Sequence, residues 1–130
     1  MTTPIPPGID HGNQWFWDGV NEHRLLVQRC SRCGTLRYPS GPMCANCQSL
    51  EWEPHEVTGR GTVYAWLVSH HPNDPEGDGR IVVLVDLDEG LRLVSNVVDA
   101  DITEIDHDVP LQLTFRTYGD VTLPQFEVVR

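Results

Sequence analysis

The chain has 130 residues, of which 39% are hydrophobic and 22% charged, enough apolar material for a compact core and too much for a disordered chain. Nine arginines and no lysine face nineteen carboxylates, for a formal charge of −10; residues 61–130 alone hold four arginines against thirteen acids, a surface that repels phosphate backbones and excludes nucleic acid as an expected partner. The apolar runs Ile81 to Val85 and Leu25 to Val27 fall far short of the ~18–20 residues of a membrane span, and no leader pattern opens the chain, so a cytoplasmic location away from membranes is expected.

Residues 1–12, with prolines at 4, 6 and 7 and glycines at 8 and 12, read as an extended arm without a core of its own. Asn13 is the predicted N-cap of a short helix reaching about Glu22, with Trp15, Phe16, Gly19, Val20 and His23 at helical spacing on one side. Three consecutive aromatics, Trp15, Phe16 and Trp17, cannot all point at one core. Either at least one faces a partner or ligand, or the three wrap the segment that follows. Leu25 to Arg29 is predicted to run extended into Cys30-x-x-Cys33. Tyr38-Pro39 to Met43 leads into Cys44-x-x-Cys47, with Pro39, Gly41 and Pro42 forcing a loop. Leu50, Trp52 and Val57 complete this part.

The two cysteine pairs are separated by ten residues, the arrangement of a tetrathiolate ribbon in which each pair sits on a tight knuckle and offers both sulfurs to one tetrahedral ion. Gly34 stands where such a knuckle needs positive φ, and Gln48 fills the matching place after the second pair. Disulfides would suit an exported chain, and a redox pair would leave the other pair unemployed. Iron is geometrically allowed, but zinc is the expected ion at Cys30, Cys33, Cys44 and Cys47. With four sulfur ligands and no open position, its role is structural. Arg29, Arg32 and Arg37 flank the knuckles, either offsetting thiolate charge or simply lying in solvent.

From Gly59 the pattern changes to period two. Strands are predicted over Thr62 to His70, Arg80 to Asp88, Leu91 to Val98, Pro110 to Tyr118 and Thr122 to Val129. A turn-rich stretch, Pro72 to Gly79, separates the first two, and an acidic stretch with room for one helical turn precedes the fourth. Five short strands in seventy residues fit a small closed barrel of the OB type, with Gly59 and Gly61 letting the first strand coil sharply. The expected fold is mainly β: an arm, helix and rubredoxin-like ribbon over 1–58, then an OB-fold over 59–130. His70 and His71, near Asp74, Glu76 and Asp78, are conceivable as a general base, but a solvated strand end explains them better. No nucleophile elbow or HExxH motif occurs, so the chain is not expected to be a catalyst by itself.

The order of Phe16-Trp17-Asp18-Gly19, Leu25 to Gly34, Tyr38-Pro39, Pro42 to Cys47, Gly59 to Tyr64 and Leu123 to Phe126 resembles a prokaryotic family of acyl-CoA-associated proteins built from a rubredoxin-like zinc ribbon and an OB-fold. The resemblance covers about residues 14 to 126 and implies an accessory subunit of thiolase-fold or lipid-transfer-protein-like enzymes. In that family the ribbon and aromatic helix dock on the enzyme, here through Trp15, Phe16 and Trp17, and the OB-fold helps to hold an acyl-CoA thioester. Members support thiolysis or, fused to a hydratase, retro-aldol cleavage in steroid side-chain degradation. A CoA ligand would take Arg60 and Arg80 as phosphate contacts and Tyr64 and Trp66, on a shared face, as a stacking platform. The alternative is a free-standing acyl-CoA-binding module that serves several enzymes.

Overall fold

A computed structural model describes residues 7–70, 72, 73, 77 and 79–130. The first regular element is prepared by a turn: Asp10 Oδ1 accepts from the N–H groups of Gly12 at 2.8 Å and Asn13 at 3.0 Å, and its carbonyl accepts from Gln14 N–H at 2.9 Å. Helix α1 (Gln14–Asn21) follows, with Asn13 at the cap position but no side-chain cap bond. The Asn13 amide is spent backwards instead, accepting from Asp10 N–H at 2.8 Å and donating to the Gly8 carbonyl at 2.9 Å. The helix closes without glycine: His23 takes φ 59, and the N–H groups of His23 and Arg24 reach the carbonyls of Val20 and Gly19.

α1 belongs to the first of two compact units, Pro7–Thr58 and Gly59–Arg130. Its sheet has the order β2-β1-β3, all antiparallel, from β1 (Leu26–Cys30), β2 (Leu36–Arg37) and β3 (Trp52–Glu56). Cys30 is thus held opposite Trp52, at the end of the ladder that begins with Leu26 opposite Glu56. Val20, Leu25, Leu26, Val27 and Val57 are the buried apolar side chains, each worth roughly 1.5–3 kcal/mol of burial. Gln28 is buried among them, and its Oε1 accepts from Arg37 Nε at 2.6 Å and Gly41 N–H at 2.8 Å, which ties down the loop after β2.

The second unit is a closed barrel of β4 (Arg60–Ser69), β5 (Arg80–Leu87), β6 (Arg92–Val97), β7 (Pro110–Tyr118) and β8 (Val121–Val128), in the order β4-β5-β6-β8-β7 with β7 returning to β4. This is the five-stranded OB arrangement, and the strands lie within two residues of their predicted bounds. Along β5 the alternation is complete, with Ile81, Val83, Val85 and Leu87 buried. Val63, Leu93, Val97, Leu111 and Phe126 meet them in the core. The acidic stretch forms a 3₁₀ turn, Ile102–Glu104, closed by a reciprocal capping box between Asp101 and Glu104. Among the described residues no helix is long and apolar enough to cross a membrane.

One expectation fails in the barrel. The register of β4 on β5 shifts between Val63 and Ala65, so Tyr64 is an extra, bulged residue. Val63 opposes buried Val85, whereas beyond the bulge it is Trp66 that opposes buried Val83. A bulge moves every later side chain to the other face. Tyr64 and Trp66 therefore do not share a face.

Candidate metal centre and ligand surfaces

Each cysteine pair is shaped by the same local device. Gly34 N–H donates to the Cys30 carbonyl and Gln48 N–H to the Cys44 carbonyl, both at 2.9 Å, while Gly34 and Gln48 take φ of 80 and 62. A non-glycine residue thus accepts the left-handed conformation at the second knuckle, as the spacing requires. The two knuckles bring the four Sγ atoms within 4.8 Å of one another. Cys30 and Cys47 are 3.6 Å apart sulfur to sulfur, as are Cys33 and Cys44. Four thiolates at ~2.3 Å from a tetrahedral zinc stand about 3.8 Å apart, so the donor set fits the ion with little adjustment.

The surroundings favour thiolate at Cys33 and Cys30 and oppose it at Cys47. Thr35 Oγ1 lies 3.1 Å from Cys33 Sγ and Asn46 Nδ2 3.6 Å from it. The Thr35 hydroxyl above all, then the Thr35 backbone and the Asn46 amide, pull the Cys33 thiol down to about 5. The Cys33 N–H lowers Cys30. At Cys47 the Ser49 N–H pulls downward, but burial and the other three thiols outweigh it and push it up to about 11. Four thiolates this close repel one another, and a divalent cation removes that repulsion. Thr35 and Asn46 carry no periodic signal and were not visible among the sequence candidates. Thr35→Val is expected to weaken zinc binding about tenfold, the lower end for loss of a hydrogen bond to a ligand; competition with a chromophoric chelator measures it. Of the flanking arginines, Arg29 pairs with Glu53 at 2.7 Å and Arg37 is held by Gln28, whereas Arg32 is exposed.

The three aromatics form a chain of contacts. Trp15 packs on Trp52 with centroids 4.8 Å apart, and its Nε1 donates to the Gly12 carbonyl at 3.0 Å. Phe16 meets Trp17 edge-on at 5.1 Å and Tyr38 at 6.3 Å. All three remain half-buried, and a groove of ≈ 210 Å³ runs between them and Tyr38, Pro39 and Arg37. The rings thus pack on one another and on Trp52 and Tyr38, and also line an open groove.

In the barrel, the structure does not bring the four expected CoA contacts to one place. Arg60 lies at the start of β4 and pairs with Asp88 at 3.6 Å. Arg80 opposes Ser69 at the far end of that ladder, roughly 25–30 Å away at the rise of a strand, too far to grip the same phosphates. Tyr64 is 45% exposed on the outer face, under the Arg92 guanidinium at 3.7 Å. Trp66 instead meets His107 edge-on at 4.9 Å, and His107 Nδ1 donates to the Tyr64 carbonyl at 3.0 Å. His70 is exposed at its strand end, while His71, Asp74, Glu76 and Asp78 lie outside the described residues.

An all-cysteine ribbon followed by an OB barrel defines a two-unit class of metal-stabilised proteins. The "ChsH2, rubredoxin-like zinc ribbon domain" matches residues 17–53 and the "ChsH2, C-terminal OB-fold domain" residues 54–116. The chain belongs to this DUF35 family of zinc-ribbon and OB-fold proteins, and its metal is the ribbon's zinc. It is similar, at 38% identity and TM-score 0.86, to a solved chain of an "Ltp2-ChsH2(DUF35) aldolase", over 94% of this chain and 98% of that one. A probable enoyl-CoA hydratase alpha subunit of Thermomonospora curvata is 38% identical over 92% of this chain, but the chain spans only 38% of that relative's length. A DUF35 domain-containing scaffold protein of Methanocaldococcus jannaschii is 31% identical, over 77% of this chain and 74% of that protein. The benzoylsuccinyl-CoA thiolase subunit BbsA of Geobacter metallireducens is 33% identical, over 68% and 61%.

Proposed function

We propose that the chain is a zinc-stabilised accessory unit that binds a thiolase-like enzyme and supports its work on an acyl-CoA thioester, thiolysis or retro-aldol cleavage. The observation that carries this reading is the match to the chain of the Ltp2-ChsH2(DUF35) aldolase over 98% of that chain's length. The thiolase-subunit and scaffold names of two other relatives agree with it. The chain's own groups fit a supporting role. Its four thiols fit a closed metal site, and the His107 ring nitrogen is spent on a backbone carbonyl. Carbon–carbon bond chemistry is therefore assigned to the partner, and a steroid side chain is one substrate class, after the name of a relative 32% identical over 93% of this chain, the 3-oxo-4,17-pregnadiene-20-carboxyl-CoA hydratase alpha subunit of Mycobacterium tuberculosis. Trp15, Phe16 and Trp17 are the docking residues of this reading. Of the expected CoA contact set, exposed Tyr64 and Arg60 are kept in this reading, and Arg92, whose guanidinium covers the Tyr64 ring at 3.7 Å, is added to them as a cation for the phosphates.

Purification of the tagged chain from its native cells, with mass spectrometry of what accompanies it, tests the reading. The expected result is a stoichiometric thiolase-like protein whose activity on CoA thioesters is lost when the chain is stripped away. A partner fully active alone would overturn it. A chain that purifies alone and binds CoA thioesters in a calorimeter would be the free-standing module instead.

A further inference from the structure

The groove of the first unit has a chemical bias that its aromatic walls alone do not convey. Its lining includes Trp15, Phe16, Trp17, Arg37, Tyr38 and Pro39, and no carboxylate, in a chain with nineteen of them. Arg37 is fixed by two hydrogen bonds, Nε to Gln28 Oε1 at 2.6 Å and Nη2 to the Gly41 carbonyl at 3.0 Å. Its third nitrogen, Nη1, is buried with no hydrogen-bond partner among the described residues. The indole N–H of Trp17 and the hydroxyl of Tyr38 likewise have no partner among the described residues, whereas Trp15 spends its own on Gly12. Burial pushes the Tyr38 phenol up, so it stays protonated as a donor. Leaving the buried Arg37 Nη1 unpaired is costly, and the Trp17 and Tyr38 donors keep hydrogen-bonding capacity that a ligand's acceptors can use. The groove therefore offers donors without a carboxylate and is walled by flat rings, with the Ser40 hydroxyl and the Asn13 amide, whose oxygen already accepts from Asp10 N–H, as its other polar side chains.

We propose that this groove binds a proline-rich segment of a partner protein in the polyproline II conformation. Such a segment has the complementary bias. Its carbonyls make no internal hydrogen bonds, its prolines carry no N–H that would need an acceptor, and its rings stack on aromatic walls. Its backbone is preformed, so little ordering entropy opposes binding. The carbonyls accept from Trp17 Nε1 and Tyr38 Oη, and Arg37 gives the donor side a positive charge. Trp15, backed by Trp52, and Phe16, edge-on to Trp17, keep the wall in shape without reaching for the ligand. The proposal rests on the docking reading only for which protein supplies the segment.

The test is a titration of the zinc-loaded, nitrogen-15-labelled full chain with capped octaproline, and in parallel with a capped Gly-Ser octapeptide and with acetyl-CoA. The expected result is a saturable shift of the Trp17 indole N–H with octaproline alone. Tyr38→Phe, read at the Trp17 indole N–H, and Trp17→Phe, read at the indole N–H of Trp15 in the same groove, each still binding one zinc, should weaken binding about fivefold, the net value of one hydrogen bond. No saturable shift, an equal response to the Gly-Ser peptide, unchanged affinity in both variants, or displacement of octaproline by acetyl-CoA would each overturn the proposal. If octaproline fails while a thiolase-like enzyme still co-purifies, the groove assignment falls and the docking reading stands. If octaproline binds a chain that captures no enzyme, the reverse holds.

Discussion

Strong chelation, or Cys33→Ser, is expected to unfold at least residues 25–58. Only five apolar side chains, Val20, Leu25, Leu26, Val27 and Val57, are buried in the unit that spans Pro7–Thr58. A piece this small rarely holds itself together through burial alone. A structural zinc contributes roughly 10–16 kcal/mol of apparent binding free energy at pH 7, as much as the whole stability of many domains. The strand ladder also depends on it: β1 ends on Cys30, and the Cys30 N–H is held by the Thr35 carbonyl inside the first knuckle. Loosening the knuckle therefore releases both β2 and the pairing of Cys30 with Trp52. Near-ultraviolet circular dichroism reads this directly, because the Trp15–Trp52 contact at 4.8 Å is lost with the ladder. Elemental analysis should give one zinc per chain before treatment. An unchanged melting curve after full zinc removal would refute the claim. Acid should act in the same direction, since the thiols must lose their protons to bind the metal and the thiolates regain them as pH falls.

Much of this architecture is legible in the residues, for identifiable reasons. Two CxxC pairs commit four side chains to one tetrahedron whatever surrounds them, and the knuckle then forces left-handed φ on Gln48 even though it is not glycine. β5 is legible as the largely β-branched apolar run Ile81 to Val85 between a turn-rich stretch and the Asp88 turn, and its burial alternates from end to end. What escaped has physical causes of its own. The bulge at Tyr64 adds one residue to one strand, which leaves the composition untouched but reverses the faces beyond it. The helix ends on His23 in a conformation that glycine usually marks, so no stop signal stands there. Asn13 has the right chemistry for a cap and uses it on Gly8 and Asp10, because the turn before the helix competes for the same amide. The groove escaped because Arg37 ends the two-residue β2 and Tyr38 and Pro39 lie in the loop after it, so no period relates them to Trp15 or Trp17. The sequence placed the metal because spacing alone defines it; it put Tyr64 and Trp66 on one face because facing depends on register, which the bulge changes.

Gly61→Val is expected to lower the stability of the barrel by about 2–3 kcal/mol, the cost of forcing extra methyl groups into a closed site. Gly61 is where β4 meets both of its neighbours, opposite Leu87 on β5 and Leu111 on β7. A Cβ at that position would lie 2.6 Å from the Asp86 carbonyl oxygen and 2.9 Å from a Val85 methyl. The first obstacle is backbone and cannot rotate away. Two strands would have to part at the closure of the barrel, and Leu111 and Val85, both buried, would lose their packing with them. For a unit of this size the loss corresponds to a drop of roughly 10–20 °C in the melting temperature. Gly41→Ala is the matched control: nothing lies within 4 Å of its Cβ, its φ is not left-handed, and the N–H that donates to Gln28 is kept. Differential scanning calorimetry of both variants decides the matter. Equal melting temperatures would mean that the barrel relaxes around Gly61 and that its tight closure there is not a source of stability.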